Sequence, residues 1–129
     1  MTKNYQVIFD EGAKTFIVRI FGKAVEQDII ECFKEYNKIV DQYFNQQKFG
    51  VVINVTEEAH SSIMVLKMIR GFLENQKHRE FIGAIAAVNE VPEKVAARNS
   101  YPASARMPFF VNEEAAREYT SGRLNQLIP

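Results

Sequence analysis

The chain has one cysteine, Cys32, in 129 residues. An internal disulfide is therefore excluded, and such usage fits a reducing compartment. Net charge is also lacking, because 16 basic side chains balance 16 acidic ones. No overall field draws in nucleic acid or an anionic membrane, which leaves local patches as the only electrostatic means of binding either. Long apolar runs are missing too. The longest, Phe81 to Val88, falls well short of the ~20 residues that a membrane-spanning helix needs. The opening residues, MTKNYQ, pass straight into a strand pattern without the apolar stretch of a signal peptide. The expected compartment is the cytoplasm.

Motifs that carry chemistry are largely absent. There is no Gly-x-Gly-x-x-Gly and no Gly-x-x-x-x-Gly-Lys-Ser/Thr, so neither phosphate-cradling loop is present. His60, His78 and Cys32 stand at no metal-ligand spacing from one another. Gly-x-Ser-x-Gly does not occur, and the adjacent pair His60-Ser61 cannot set an imidazole on its neighbour's hydroxyl as a triad requires. Glu57-Glu58 and Glu113-Glu114 read as solvated helix-start residues rather than acid/base partners. No catalytic set, metal or cofactor is expected from these patterns. An enzyme assembled from distant residues such as His60, Arg98 and Tyr101 stays open as the least favoured class.

What is present is globular. Apolar residues make up 47 % of the chain and charged ones 25 %, a composition and length that can bury one core. Tyr5 to Asp10 and Thr15 to Phe21 read as strands of a hairpin, with Gly12 in the turn able to take positive φ. From Ala24 to Phe44 the period changes. Val25, Ile29, Phe33, Tyr36, Val40 and Tyr43 recur at steps of three and four, which predicts a helix with one apolar face. Cys32, beside that stripe, reads as a buried structural thiol. Phe49 to Val55 has the uniform apolar character of a strand covered on both faces.

A second helix is expected from about Ser61 to Gln76, and another buried strand from Phe81 to Val88. Pro92 suits the first turn of a short third helix ending at Asn99. Met107 to Val111 reads as a short strand that Pro108 confines to an edge. Asn112 then caps a final helix, with Glu113 and Glu114 at its positive end. The order is ββαβαβαβα. An opening hairpin followed by alternating helices and buried strands predicts a mostly parallel sheet covered by helices, an α/β fold. Without repeats, low-complexity tracts or linkers, residues 1–129 read as a single domain.

One segment stands out: the apolar strand VVINV, then His60-Ser61-Ser62-Ile63, then the apolar helix start MVLKMI. It places two hydroxyls beyond the carboxyl end of a buried strand, where open α/β sheets bind ligands and partners. The element order and this segment resemble the STAS domain, the fold of anti-sigma-factor antagonists, whose signature runs from an apolar strand into Asp-Ser-Ser-Gly and an apolar helix. Here His60 replaces the Asp, and Ile63 the Gly. The stretch from Phe109 to Tyr119, and Gly22 followed by Asp28, resemble a divergent SpoIIAA-like branch related to lipid-binding CRAL-TRIO domains. The resemblance implies a bacterial regulator that binds a protein, such as a kinase-like anti-sigma factor. It also implies Ser61 or Ser62 as phosphoacceptor, with the phosphate abolishing binding. A plainer role for either serine is to cap the second helix.

The second helix carries a further signal. Ile63, Leu66, Ile69 and Leu73 form a core stripe, which leaves Met64, Val65, Met68 and Phe72 on its flanks. Flexible methionines beside an aromatic suit a surface that adapts to a partner. His60, Met64, Lys67 and Met68 are thus the expected partner-binding residues, the occupant being another protein or a second copy as a homodimer. The alternative is a carrier or sensor of a small apolar or lipid-like ligand lined by Phe72, Phe109 and Phe110. It would need a void between the second helix and the sheet.

Overall fold

A computed structural model describes residues 3–56, 62–89, 91–100 and 107–126. Along the chain run β1 (Tyr5–Asp10), β2 (Thr15–Ile20), α1 (Glu26–Tyr43), β3 (Phe49–Val55) and α2 (Ile63–Glu74). A 3-10 turn (Arg79–Phe81) leads into β4 (Ile82–Val88), followed by α3 (Pro92–Asn99), β5 (Phe109–Phe110) and α4 (Glu113–Gln126). The strands form one mixed sheet in the order β1-β2-β3-β4-β5. β1 pairs antiparallel with β2, and the other three pairings are parallel.

The hairpin register sets Asp10 opposite Thr15. Its turn is held by Asp10, whose Oδ1 accepts a hydrogen bond from the Ala13 N–H at 3.1 Å. Lys14, not Gly12, takes the left-handed conformation, with φ 51°, and no described glycine has positive φ. The left-handed residue falls two positions after the glycine, in a turn that the Asp10 side chain holds by an Asx contact.

The two faces of the sheet differ. One is covered by α1 and α2 over the larger core, which includes Phe16, Val18, Ile29, Tyr36, Val51, Val65 and Ile69. The other carries α4 over a smaller cluster of Ile17, Val52, Ala86, Val88 and Ala116. Within α1 the buried stripe is Ile29, Cys32, Phe33, Tyr36 and Val40. Val25 and Tyr43, expected to end that stripe, are exposed. Val25 precedes the helix as its cap position, its N–H donating to Asp28 Oδ2 at 2.8 Å. Its side chain therefore escapes the helical face.

In α2 the expected stripe is rotated. Val65 and Ile69 are buried, while Ile63 is 74 % exposed. Phe72 explains the rotation: its ring stacks on Phe33 with centroids 3.4 Å apart and meets Tyr36 edge-on at 5.2 Å. That contact turns the Val65–Ile69–Phe72 side of α2 toward α1. A buried hydrogen bond from the Tyr36 hydroxyl to Gln76 Oε1, at 2.7 Å, anchors the far end.

β4 begins one residue later than expected because Arg79–Phe81 closes a 3-10 turn. β5 shrinks to two residues, and its backbone is held by the Asn99 side chain. Asn99 Oδ1 accepts from the Phe109 N–H at 2.8 Å, and its Nδ2 donates to the Phe109 carbonyl at 2.9 Å. Among the described residues no helix is long and apolar enough to cross a membrane.

Candidate functional site

The carboxyl ends of β3 and β4 and the start of α2 share one edge of the sheet. Ser62 is the N-cap of α2, with extended backbone and an Oγ that accepts from the Val65 N–H at 3.1 Å. A hydroxyl directly before an apolar run satisfies one of the donors that a helix start leaves open. Ser62 is also exposed. Ser61 and His60, the other members of the motif, lie outside the described residues, as do Glu57, Glu58 and Tyr101.

Beyond the cap, Ile63 and Met64 turn outward, Met64 being 53 % exposed. Lys67, one turn on, is exposed, whereas Met68 is half-buried and packs on the core. A shallow depression joins Ser62 to the residues that open α1, among them Lys23, Val25 and Glu26. Val25, 61 % exposed, lines this depression with Ser62, and the exposed Ile63 and Met64 follow Ser62 directly in the chain. Neither Val25 nor Ile63 was recognisable as a surface residue, since each matches a helical apolar stripe. The one available signal was the capping position just before or at the helix start.

On the same edge a groove of about 260 Å³ opens between α2 and the sheet. β3 contributes Ile53 and Val55, α2 contributes Leu66, Ile69 and Leu73, and Phe109 closes one side. Of the three residues expected to line such a void, only Phe109 does so. Phe72 is spent on the α1 contact. Phe110, pointing to the opposite face as strand alternation demands, lies 5.4 Å from Tyr119 of α4. Arg70 and Arg98 also line the groove.

A polar cluster lies on the α4 face. Arg19 donates from Nε and Nη2 to the two carboxylate oxygens of Glu113, both at 2.7 Å. Asn54 Nδ2 donates to Glu113 Oε2 at 2.8 Å, while the buried Asn54 Oδ1 has no partner among the described residues. Glu113 is therefore clamped rather than solvated, its side chain 15 % exposed. The hydrogen bond from Arg19 holds its carboxyl below the ordinary carboxylate range, against the opposing effect of burial. Asn112 caps α4 through Oδ1, which accepts from the Ala115 N–H at 2.8 Å.

At the carboxyl end of α1, Asp41 joins Lys77 and His78, and the His78 ring stacks on Phe44 at 3.7 Å. The hydrogen bonds from Lys77 and then His78 lower the Asp41 pKa. Among the described residues no group of three or more His, Cys, Asp or Glu could hold a metal ion. Cys32 is fully buried, and burial pushes its thiol pKa up to about 12. No known protein-family model, curated protein or solved structure matches this chain.

Proposed function

We propose that the chain is a non-enzymatic regulatory module that binds a protein partner through the surface where α1 and α2 begin. The observation that carries this reading is the exposure of Ile63 and Met64 directly after the capping Ser62, which shares a depression with the exposed Val25. Contiguous apolar side chains left in water mark an interaction surface more often than isolated ones do. Methionine adds a side chain that re-packs against different shapes. Lys67 stands on the exposed side of the same helix, so the matching partner presents a carboxylate beside its apolar contact. The element order and the Ser61-Ser62 pair support a STAS or SpoIIAA-like reading, with a kinase-like anti-sigma factor as the partner class. The lone, buried Cys32 thiol supports a cytoplasmic setting.

Serine phosphorylation is a physically reasonable switch for this surface. A phosphate brings about −1.5 to −2 charges to the positive end of α2, where its own helix tolerates it. A partner packed on Ile63 and Met64 would have to desolvate that charge. The test is a comparison of wild type with Met64→Glu, Ser62→Asp and the distant Lys34→Glu, by affinity capture followed by titration of the purified partner. The reading requires a stoichiometric complex that Met64→Glu and Ser62→Asp abolish and Lys34→Glu retains. If the wild type is instead a dimer that Met64→Glu splits, the occupant is a second copy. A monomer whose captured proteins ignore all three substitutions refutes the reading.

A second reading has its own observation in the groove beneath α2, which suits a carrier or sensor of a small apolar ligand. Native mass spectrometry of protein from its own host, compared with denatured mass, tests it. A non-covalent adduct supports the carrier, and a bare chain counts against it.

A further inference from the structure

We propose that the groove between α2 and the carboxyl ends of β3 and β4 takes a small amphiphile with a hydrocarbon body and one carboxylate, met by Arg70. This rests on the carrier reading and adds to it the ligand's charge and the residue that recognises it. The walls come from Ile53, Val55, Leu66, Ile69 and Leu73, against which a polar body would lose its hydration without replacement. At about 260 Å³ the space lies just below the ~300–1,000 Å³ of common small-molecule sites. A short single chain fits this volume better than a two-chain lipid.

The ionisable lining decides the head group. Among the described residues it consists of Arg70 and Arg98, and no described carboxylate lines the groove. The Arg98 guanidinium carbon lies 5.0 Å from the centroid of the Phe109 ring, a geometry in which the aromatic face already engages the cation. Arg70 has no ion-pair or hydrogen-bond partner among the described residues. Arg70 is exposed and hydrated; a carboxylate head gives it a counter-charge that a neutral head does not, and a cationic head is repelled. One available guanidinium matches a monoanion better than a phosphate dianion, and its planar fork fits a carboxylate through two parallel hydrogen bonds.

Octanoate and octanol, which share a tail and differ in the head, separate the two layers of the argument. Amide NMR titrations of the full chain are expected to show octanoate shifting resonances of Val55, Leu66 and Phe109. Octanol should shift the same resonances at least about tenfold more weakly. Arg70→Gln, an exposed change whose folding a thermal melt verifies, should weaken octanoate by about tenfold and leave octanol unaltered. Equal binding of octanol and octanoate, or an Arg70→Gln variant with undiminished octanoate binding, overturns the charge assignment while leaving the carrier reading intact. Failure of both probes to bind the wild type overturns both.

Discussion

Arg19 on β2 grips Glu113, the first residue of α4, through two hydrogen bonds of 2.7 Å that engage both carboxylate oxygens. Because the Glu113 pKa is lowered in the folded state, the pair's contribution is complete above the ordinary carboxylate value of about 4.3. It is lost as pH falls through the depressed folded value. Arg19→Met keeps the alkyl stem and removes the donors. It is expected to destabilise the protein by about 1–2 kcal/mol at neutral pH, since the pair is only partly shielded from solvent. Urea unfolding of both proteins should show this gap narrowing below about pH 4; a gap independent of pH would contradict the assignment.

Gly50 of β3 faces two hydroxyls. A Cβ there would lie 2.7 Å from Thr15 Oγ1 and 2.8 Å from Thr120 Cβ, and the two threonines bond each other at 2.8 Å. Gly50→Ala must push α4 off the sheet and should cost about 1–3 kcal/mol. Gly71→Ala meets nothing within 4 Å and replaces a helix-interior glycine, so it should stabilise by about 0.5–1 kcal/mol. Chemical denaturation of the two variants tests the opposite signs.

Cys32 is expected to resist thiol reagents in the native protein at about pH 8, because only the thiolate reacts and the folded pKa is about 12. One equivalent should react promptly once denaturant is added. Rapid native labelling would mean that α1 opens far more readily than its packing implies.

Ser62→Ala removes the cap of α2 and should lower stability by about 1 kcal/mol. Ser62→Asp retains a capping oxygen and places a negative charge at the positive helix end, so its stability should match the wild type. A thermal melt therefore separates loss of the cap from the loss of partner binding proposed for the charge.

The strands and helices were legible because their periods are strong: the uniform apolar run of Phe49–Val55 and the three-and-four spacing of α1 are local patterns. Ser62 was legible as a cap because a hydroxyl stands directly before an apolar run. The outward turn of Ile63 was not, since it depends on Phe72 meeting Phe33 across two helices. Glu113 looked solvated for the same reason, as nothing near a helix start announces an arginine on a distant strand. The groove was partly legible. Phe109 was named for it, yet Arg70 was not, because its lining gathers residues from β3, α2 and the segment around β5 that no spacing rule connects.

The two faces of the sheet are secured by different means. α1 and α2 are fastened chiefly by stacked rings and aliphatic burial, whereas α4 rests on a few small residues and on directional links: Arg19–Glu113, Arg117–Asp10 and Thr15–Thr120. Oily contacts endure acidification, while the Arg19–Glu113 link is lost once the Glu113 carboxyl is protonated. Acid strong enough to protonate Glu113, below the ordinary carboxylate range, should accordingly loosen the C-terminal helix before the remainder opens. The molecule would come apart in an order set by which side of the sheet each helix occupies.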